Sequence, residues 1–403
     1  MNYSITRIAS VILAFGFFFG CTLLQKSSTS QSDKRTQKQL RKQIKQLDKQ
    51  LSKSDSTASM LYQKGELLIK LAEKKEVGSR LSTYQQAHTT LMLSAQKYEQ
   101  AYTNTDQNKA SELLNVSWSN EHNKGVQITQ DDSVLASDYY KRAGDHFHNA
   151  TVIIPDSATS YKLGAQAYYH SQQPEKAIAL LEEAQKQIDR PPIPVLEQLG
   201  YLYLQNDQPQ KAVRIYQQAV SISDQNTNLI HGLSNAYIAN KQHQQAIQLL
   251  ESLVEQKSNN IIYKQSLATE LYHIGSQQMD NLKKKQSKLT ENNFNSVDSL
   301  FQRAHTLFNK LLEDNPQNIN IKQQAAQFYL NSASVYQQVQ SIATGDLAST
   351  VQKRMKEFLT ESLPLYKALT EKHPKNKTFW RNLYQTYSYL GMKEEAQNIK
   401  SNF

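Results

Sequence analysis

Residues 196–219 read LEQLGYLYLQNDQPQKAVRIYQQA, and the reading of this stretch decides the fold. Leu196, Leu199, Gly200 and Tyr203 recur at three- and four-residue spacing, which puts them on one face of a helix. Pro209 falls just before Gln210-Lys211-Ala212, where the first turn of a new helix accepts a residue without a donor. Ala212, Tyr216 and Ala219 then resume the helical spacing. A pair of helices with one apolar stripe each cannot bury itself alone, so neighbouring pairs are required on either side.

The neighbours are present. Upstream, Tyr161, Ala165 and Tyr168 are followed by Ala177, Leu181 and Ala184; downstream, Ile230, Leu233, Ser234 and Tyr237 are followed by Ala246, Leu250 and Leu253. The alanines opening the second helices, Ala177, Ala212 and Ala246, lie 35 and 34 residues apart. Ala, Gly or Ser at the tightest crossing lets antiparallel helices approach, while Tyr and Leu nearby fill the groove and reach the next pair. Pro174 repeats the placement of Pro209, whereas Pro155, Pro316 and Pro374 follow helices and stop them.

In period and residue pattern the chain resembles tetratricopeptide repeats (TPR), from about residue 58 to its end. The resemblance implies an all-α fold, an α-solenoid of antiparallel helix pairs forming a TPR-like superhelix. Residues 157–259 hold the regular repeats and 58–156 more divergent ones, in which Ala143, Phe147 and Ala150 mark a second helix whose partner falls around Ala110 to Gly125. Ser94, Tyr98 and Ala101 mark a further unit before it. In residues 260–375 Ala304 lies 36 residues after Ala268, and Ser362 lies 37 after Ala325, where Gly200 and Ala212 are 12 apart. Two lengthened helical hairpins are expected there, extending beyond the solenoid. Asn281 to Asn295 is polar enough to form the tip of the first, and Pro364 is expected to kink the second. Residues 376–403, with Trp380, Leu383, Tyr387 and Ala396, form a capping repeat, and the aromatics named so far are read as core.

The chain has 403 residues and a formal charge of +10, but residues 1–55 hold ten Lys and Arg against three Asp, a balance of +7. The other 348 residues carry only +3, which gives no reason to invoke nucleic acid. Arg7 precedes an apolar run from Ile8 to Phe19, and Gly20 precedes Cys21, the single cysteine. No intramolecular disulfide framework is possible. Phe18-Phe19-Gly20-Cys21 resembles the lipobox of bacterial lipoproteins, which implies a signal peptide over 1–20 and lipidation of Cys21. Thr22 at the next position implies, by the same resemblance, the outer membrane, with the body facing the periplasm. The alternative is an uncleaved signal anchor from Ile8 to Leu24, at the short end of a membrane span. Residues 21–57 continue into a basic helical spacer, where Leu40, Ile44, Leu47 and Leu51 form one stripe among Lys, Arg and Gln. That helix can stand as a solvated spacer, pair with another chain, or rest its basic flanks on anionic lipid. A hinge is expected from Leu51 to Ala58.

No phosphate loop, dinucleotide fingerprint, zinc-protease motif or nucleophile elbow occurs, and no cofactor is expected. His146 and His148, two residues apart, face different ways on a helix and suit no metal. The reading is therefore of a non-enzymatic binding surface. By the geometry that the resemblance implies, the concave lining includes Lys162, Gln166, Tyr169 and His170, then Glu197, Tyr201 and Gln205, then His231 and Asn235. The peptide-carboxylate clamp known in the family has counterparts here only in Lys162 and Asn235, with Glu197 between them. Amide, Tyr and His groups suit extended peptide instead. The expected partners are proteins, with the membrane engaged through the lipid; the alternative is a glycan- or nutrient-binding lipoprotein. Replacing Cys21 with Ser is expected to release the full chain from membranes in a sedimentation assay, and retention there would favour the uncleaved anchor.

Overall fold

The computed structural model describes residues 31–53, 57–100, 104–130, 137–284 and 289–403; the signal stretch, Cys21 and Ala101 lie outside them. The described residues are all-α, with seventeen α-helices, three short 3-10 turns and no strand. The chain forms two compact units, Met1–Ser171 and Gln172–Phe403.

In the first unit α1 (Gln31–Leu51), α2 (Ala58–Glu73), α3 (Leu81–Gln100), α4 (Asn104–Gln130), α5 (Ser137–Ile153) and α6 (Ala158–His170) each pack on the next. The helix expected as a free spacer is docked. Leu40 is buried and Ile44 packs against the core formed by Leu68, Ile69, Ala72, Tyr84 and Leu91. Lys64 meets Asp48 at 2.6 Å, Lys74 meets Asp33 at 3.4 Å, and Gln37 Nε2 donates to the Lys74 carbonyl at 2.6 Å. The correction has a simple cause: the stripe led by Leu40 and Ile44 and the apolar surface it covers both leave water when the helix docks.

A carboxylate lies at the centre of this unit. Glu121 on α4 is 1% exposed and accepts from Arg80 Nη1 at 2.6 Å, Tyr84 Oη at 2.9 Å and His146 Nδ1 at 2.6 Å. Asn149 on α5 donates to the same carboxylate at 3.4 Å and to the Val77 carbonyl at 3.1 Å. Burial pushes the Glu121 carboxyl up, but the His146 hydrogen bond, the Arg80 charge and the Tyr84 hydroxyl outweigh it and hold it at about 2. His148 points elsewhere, towards Tyr168 Oη at 3.4 Å.

In the second unit the helices are α7 (Pro174–Gln187), α8 (Ile193–Gln205), α9 (Pro209–Ile222), α10 (Thr227–Ala239), α11 (His243–Gln256), α12 (Ile261–Lys284), α13 (Glu291–Asp314), α14 (Ile319–Val339), α15 (Asp346–Lys372), α16 (Lys377–Leu390) and α17 (Lys393–Ile399). They stack as hairpins α8/α9 to α16/α17, with α8 on α10 and α12 on α14 as neighbouring first helices. Pro174 and Pro209 open α7 and α9 as expected. The tight turns before α7, α9 and α11 each use a left-handed residue, Gln172, Asp207 and Lys241, and Gly391 does so before α17. Asn226, Asn260, Asn318 and Asn376 start α10, α12, α14 and α16, each side-chain oxygen taking backbone N–H groups of the first turn.

The Tyr216 ring fixes the spacing of three helices. A methyl group on Gly200 of α8 would come within 2.7 Å of one ring edge, and one on Gly232 of α10 would overlap the other. Gly232 belongs to the packing logic but was not among the small residues read from the sequence.

The two lengthened hairpins α12/α13 and α14/α15 are present, and their far ends pack on one another. Phe294 and Phe301 of α13 meet Tyr336 of α14, with ring centroids 6.1 and 5.3 Å apart, and Tyr336 stacks on Phe358 of α15. Asp298, 6% exposed, accepts from Tyr336 Oη at 2.6 Å and from Arg354 at 3.1 and 3.2 Å, tying three helices together. One expectation is corrected. Helix continues to Lys284 and restarts at Glu291 behind a Thr290–Asn293 capping box, so the Asn281–Asn295 tip is far shorter than its polarity indicates. α15 is helical on both sides of Pro364, which sits on the exposed face, as does Thr360, whose carbonyl loses its partner and can turn to water.

Gly232→Ala is expected to destabilise the second unit by about 1–3 kcal/mol through overlap with Tyr216, although Ala favours helix over Gly. A thermal melt showing a gain would refute the clamp. For Glu121, whose folded pKa is depressed below its unfolded value near 4.5, the stabilisation is complete above about pH 4.5 and is lost as pH falls towards about 2. This amounts to about 3 kcal/mol. Glu121→Gln is expected to flatten the pH dependence of denaturant unfolding in that window.

Candidate functional site

The sequence-predicted residues fall into two sets, each within one unit. On α6 of the first, Lys162, Gln166 and His170 are exposed along a single face, and Tyr169 is half-buried. The His170 ring lies 5.2 Å from Tyr140 and 6.1 Å from Tyr169.

In the second unit α8 presents Glu197, Tyr201 and Gln205 at four-residue intervals; Tyr201 is 45% exposed, Gln205 exposed and Glu197 half-buried. His231 and Asn235 on α10 are half-buried and engaged with each other, Asn235 Nδ2 standing 3.3 Å from His231 Nε2. The His231 ring also lies 5.2 Å from Tyr263, and burial lowers its pKa. These two residues therefore form part of the wall of the helix face, while Tyr201 and Gln205 are its reachable groups.

Further along the same unit is a concavity that the sequence reading stopped short of. Between α12 and α14 a trench of about 580 Å³ is lined by Tyr272, His273, Ser276 and Gln277 on one side and Asn331, Ser334 and Gln338 on the other. It adjoins a smaller hollow of about 290 Å³ that shares Tyr272, His273 and Asn331 and is floored by Phe308 and Phe328. Burial raises the pKa of the Tyr272 hydroxyl, and its hydrogen bonds with Ser276 and Asn331 partly offset this.

The polar groups here are connected. Gln327 Nε2 donates to Asn331 Oδ1 at 2.7 Å, and Gln327 Oε1 accepts from Asn382 Nδ2 of α16 at 3.3 Å and from Tyr366 Oη at 3.4 Å. Asn382 Nδ2 also donates to Tyr366 Oη at 3.0 Å. A ladder of amides and hydroxyls thus crosses three successive first helices, each member orienting the next. Primary amides offer donors and acceptors together, which is what the backbone of an extended segment needs. The signal was available: Thr269, Tyr272 and Gln327 follow the core positions Ala268, Leu271 and Ala326 as Gln166 and Tyr201 follow Ala165 and Gly200. The enlarged hairpins hid that register.

A third hollow, of about 610 Å³, opens between α13 and α15, with His305, Lys353, Arg354, Lys356, Glu357 and Glu361 around it. Its charges are of both signs and Arg354 is already held by Asp298 and Glu357. Among the described residues no group of three His, Cys, Asp or Glu could hold a metal ion, and no helix is long and apolar enough to cross a membrane.

Residues 203–270 match the tetratricopeptide repeat family model. Solved structures similar to the chain include YrrB, described as a TPR protein with an unusual peptide-binding site, at 13% identity over 50% of this chain and 88% of that one, TM-score 0.37. A tetratricopeptide repeat protein from Parabacteroides merdae aligns at 11% identity over 67% of this chain and 98% of its own, TM-score 0.41. PilF of Pseudomonas aeruginosa aligns at 15% identity over 64% and 99%, TM-score 0.38. No curated protein sequence matches the chain.

Proposed function

We propose, for a chain that carries tetratricopeptide repeats, the role of a membrane-tethered scaffold that binds extended protein segments in the bacterial cell envelope. The observation that carries this reading is the amide ladder from Asn331 through Gln327 to Asn382 beside the trench between α12 and α14. Side-chain amides already held in place lose little freedom when a peptide backbone arrives, so weak individual hydrogen bonds add up. Phe308 and Phe328 give an apolar side chain of the guest a floor.

Lipid on Cys21 holds the scaffold at the outer membrane, facing the periplasm, and raises its effective concentration near membrane-bound partners. Its role there is in the assembly or regulation of envelope machinery. The Gly20-Cys21 pair after an apolar run supports the tether. Both tryptophans are half-buried with their indole N–H groups already held by the chain itself, which weighs against a glycan platform. Trp118 Nε1 donates to Ser157 and Ser160 at 3.1 and 3.0 Å, and Trp380 Nε1 to the Pro374 carbonyl at 2.8 Å.

A photo-crosslinking side chain in place of Gln338, in the full chain on native envelopes, is expected to form discrete protein adducts, and the same group in place of exposed Lys310 is not. Ser334→Trp fills the trench and is expected to cut the Gln338 adducts about tenfold. Adducts that survive Ser334→Trp place binding elsewhere; carbohydrate retention on a glycan array with no protein adduct would replace this reading by the glycan one.

A further inference from the structure

The docking of α1 on α2 leaves one face of α1 without a role. Seven Lys and Arg against two Asp make up its charge. Both acids are paired with lysines of the neighbouring segment, Asp33 with Lys74 and Asp48 with Lys64. Lys34, Lys38, Lys42, Lys45 and Lys49 run at spacings of four, four, three and four along the side opposite Leu40, Ile44, Leu47 and Leu51, with Arg35 and Arg41 flanking them. All seven are exposed, and among the described residues none has an ion-pair partner. The result is a cationic ridge about 22 Å long, from Lys34 to Lys49, on a helix whose apolar side faces α2.

Of the roles open to this helix, pairing with another chain needs the apolar stripe, and α2 has taken it. A ridge of ammonium and guanidinium groups matches a plane of phosphate-bearing headgroups. α1 carries no aromatic residue on which a base could stack, and the chain beyond residue 55 adds only +3, so nucleic acid is the poorer fit. Nine residues lie between Cys21 and Gln31, ten steps of chain with a reach of at most about 36 Å. We infer that the outward face of α1 is a docking surface for the anionic headgroups of a phospholipid bilayer. It turns a single-point attachment into a line of contact. The inference rests on the tether at Cys21 for its geometry, though not for its chemistry. Each cation near an anionic bilayer strengthens the contact about fivefold, and the attraction fades within a Debye length of about 8 Å at physiological salt.

The test uses the full chain bound to two kinds of vesicle, pure phosphatidylcholine and one part phosphatidylglycerol to two parts phosphatidylcholine. The acetylation rates of the α1 lysines are read by mass spectrometry against exposed Lys375. On the anionic vesicles Lys34 to Lys49 are expected to label about tenfold more slowly than on neutral ones, and high salt is expected to restore the rate. The triple change Lys38→Glu, Lys42→Glu and Lys45→Glu is expected to remove the protection of Lys34 and Lys49. Circular dichroism of this variant is expected to be unchanged, since none of the three faces α2. Equal labelling on the two vesicles overturns the inference, as does protection by single-stranded DNA without protection by anionic lipid. Loss of the chain from neutral vesicles would refute the tether alone, and the anionic vesicles would still report on α1.

Discussion

The second unit depends on the fit of bulky rings into gaps left by absent side chains. Tyr216 lies between Gly200 and Gly232, so one ring sets the separation of α8, α9 and α10 at once. A stack built this way has no single centre. Each hairpin is buried by its neighbours, and the apolar core from Ile230 to Ala396 runs continuously through the later ones. Where the hairpins lengthen, the same principle is met by Phe294, Phe301, Tyr336 and Phe358, with Asp298 and Arg354 joined among them. The extensions are thus part of the stack.

The repeat was legible because it rests on local rules: a small residue at a crossing, a proline at a helix start and a period near 34 appear in the order of the residues themselves. The tip at Asn281–Asn295 misled because polar residues on the solvent side of a helix look like loop. Pro364 is tolerated within α15 because a lost hydrogen bond matters little where water can replace it. The docking of α1 is a tertiary fact; its stripe was visible, but nothing along the chain names the surface that covers it. At the candidate site, exposure was legible and side-chain pairing was not: Tyr201 and Gln205 are exposed, whereas His231 and Asn235 are half-buried, with Asn235 Nδ2 3.3 Å from His231 Nε2. The Asn331–Gln327–Asn382 ladder joins residues up to 55 apart, which no spacing rule predicts.

The two units handle charge differently. In the first, Glu121 draws Arg80, Tyr84, His146 and Asn149 around one buried carboxylate, and removing any one of them would leave groups stranded from water. In the second, the trench mixes the amides Gln277, Asn331 and Gln338 and the hydroxyls of Tyr272, Ser276 and Ser334 with the charged Asp280 and Lys283, and its uncharged groups give up water to a guest at less cost than a buried carboxylate would.

The asparagines that open α10, α12, α14 and α16 bear on how the molecule ages. Slow deamidation through a succinimide gives aspartate and isoaspartate; an aspartate at a helix start accepts the same backbone N–H groups while meeting the positive end of the helix dipole, whereas isoaspartate puts an extra methylene into the backbone. Chemical damage at these four positions therefore spares the cap in one product and loosens the start of the helix in the other, so a protein that is long-lived and not renewed would wear at its helix starts while the ring-filled interior stays as it is.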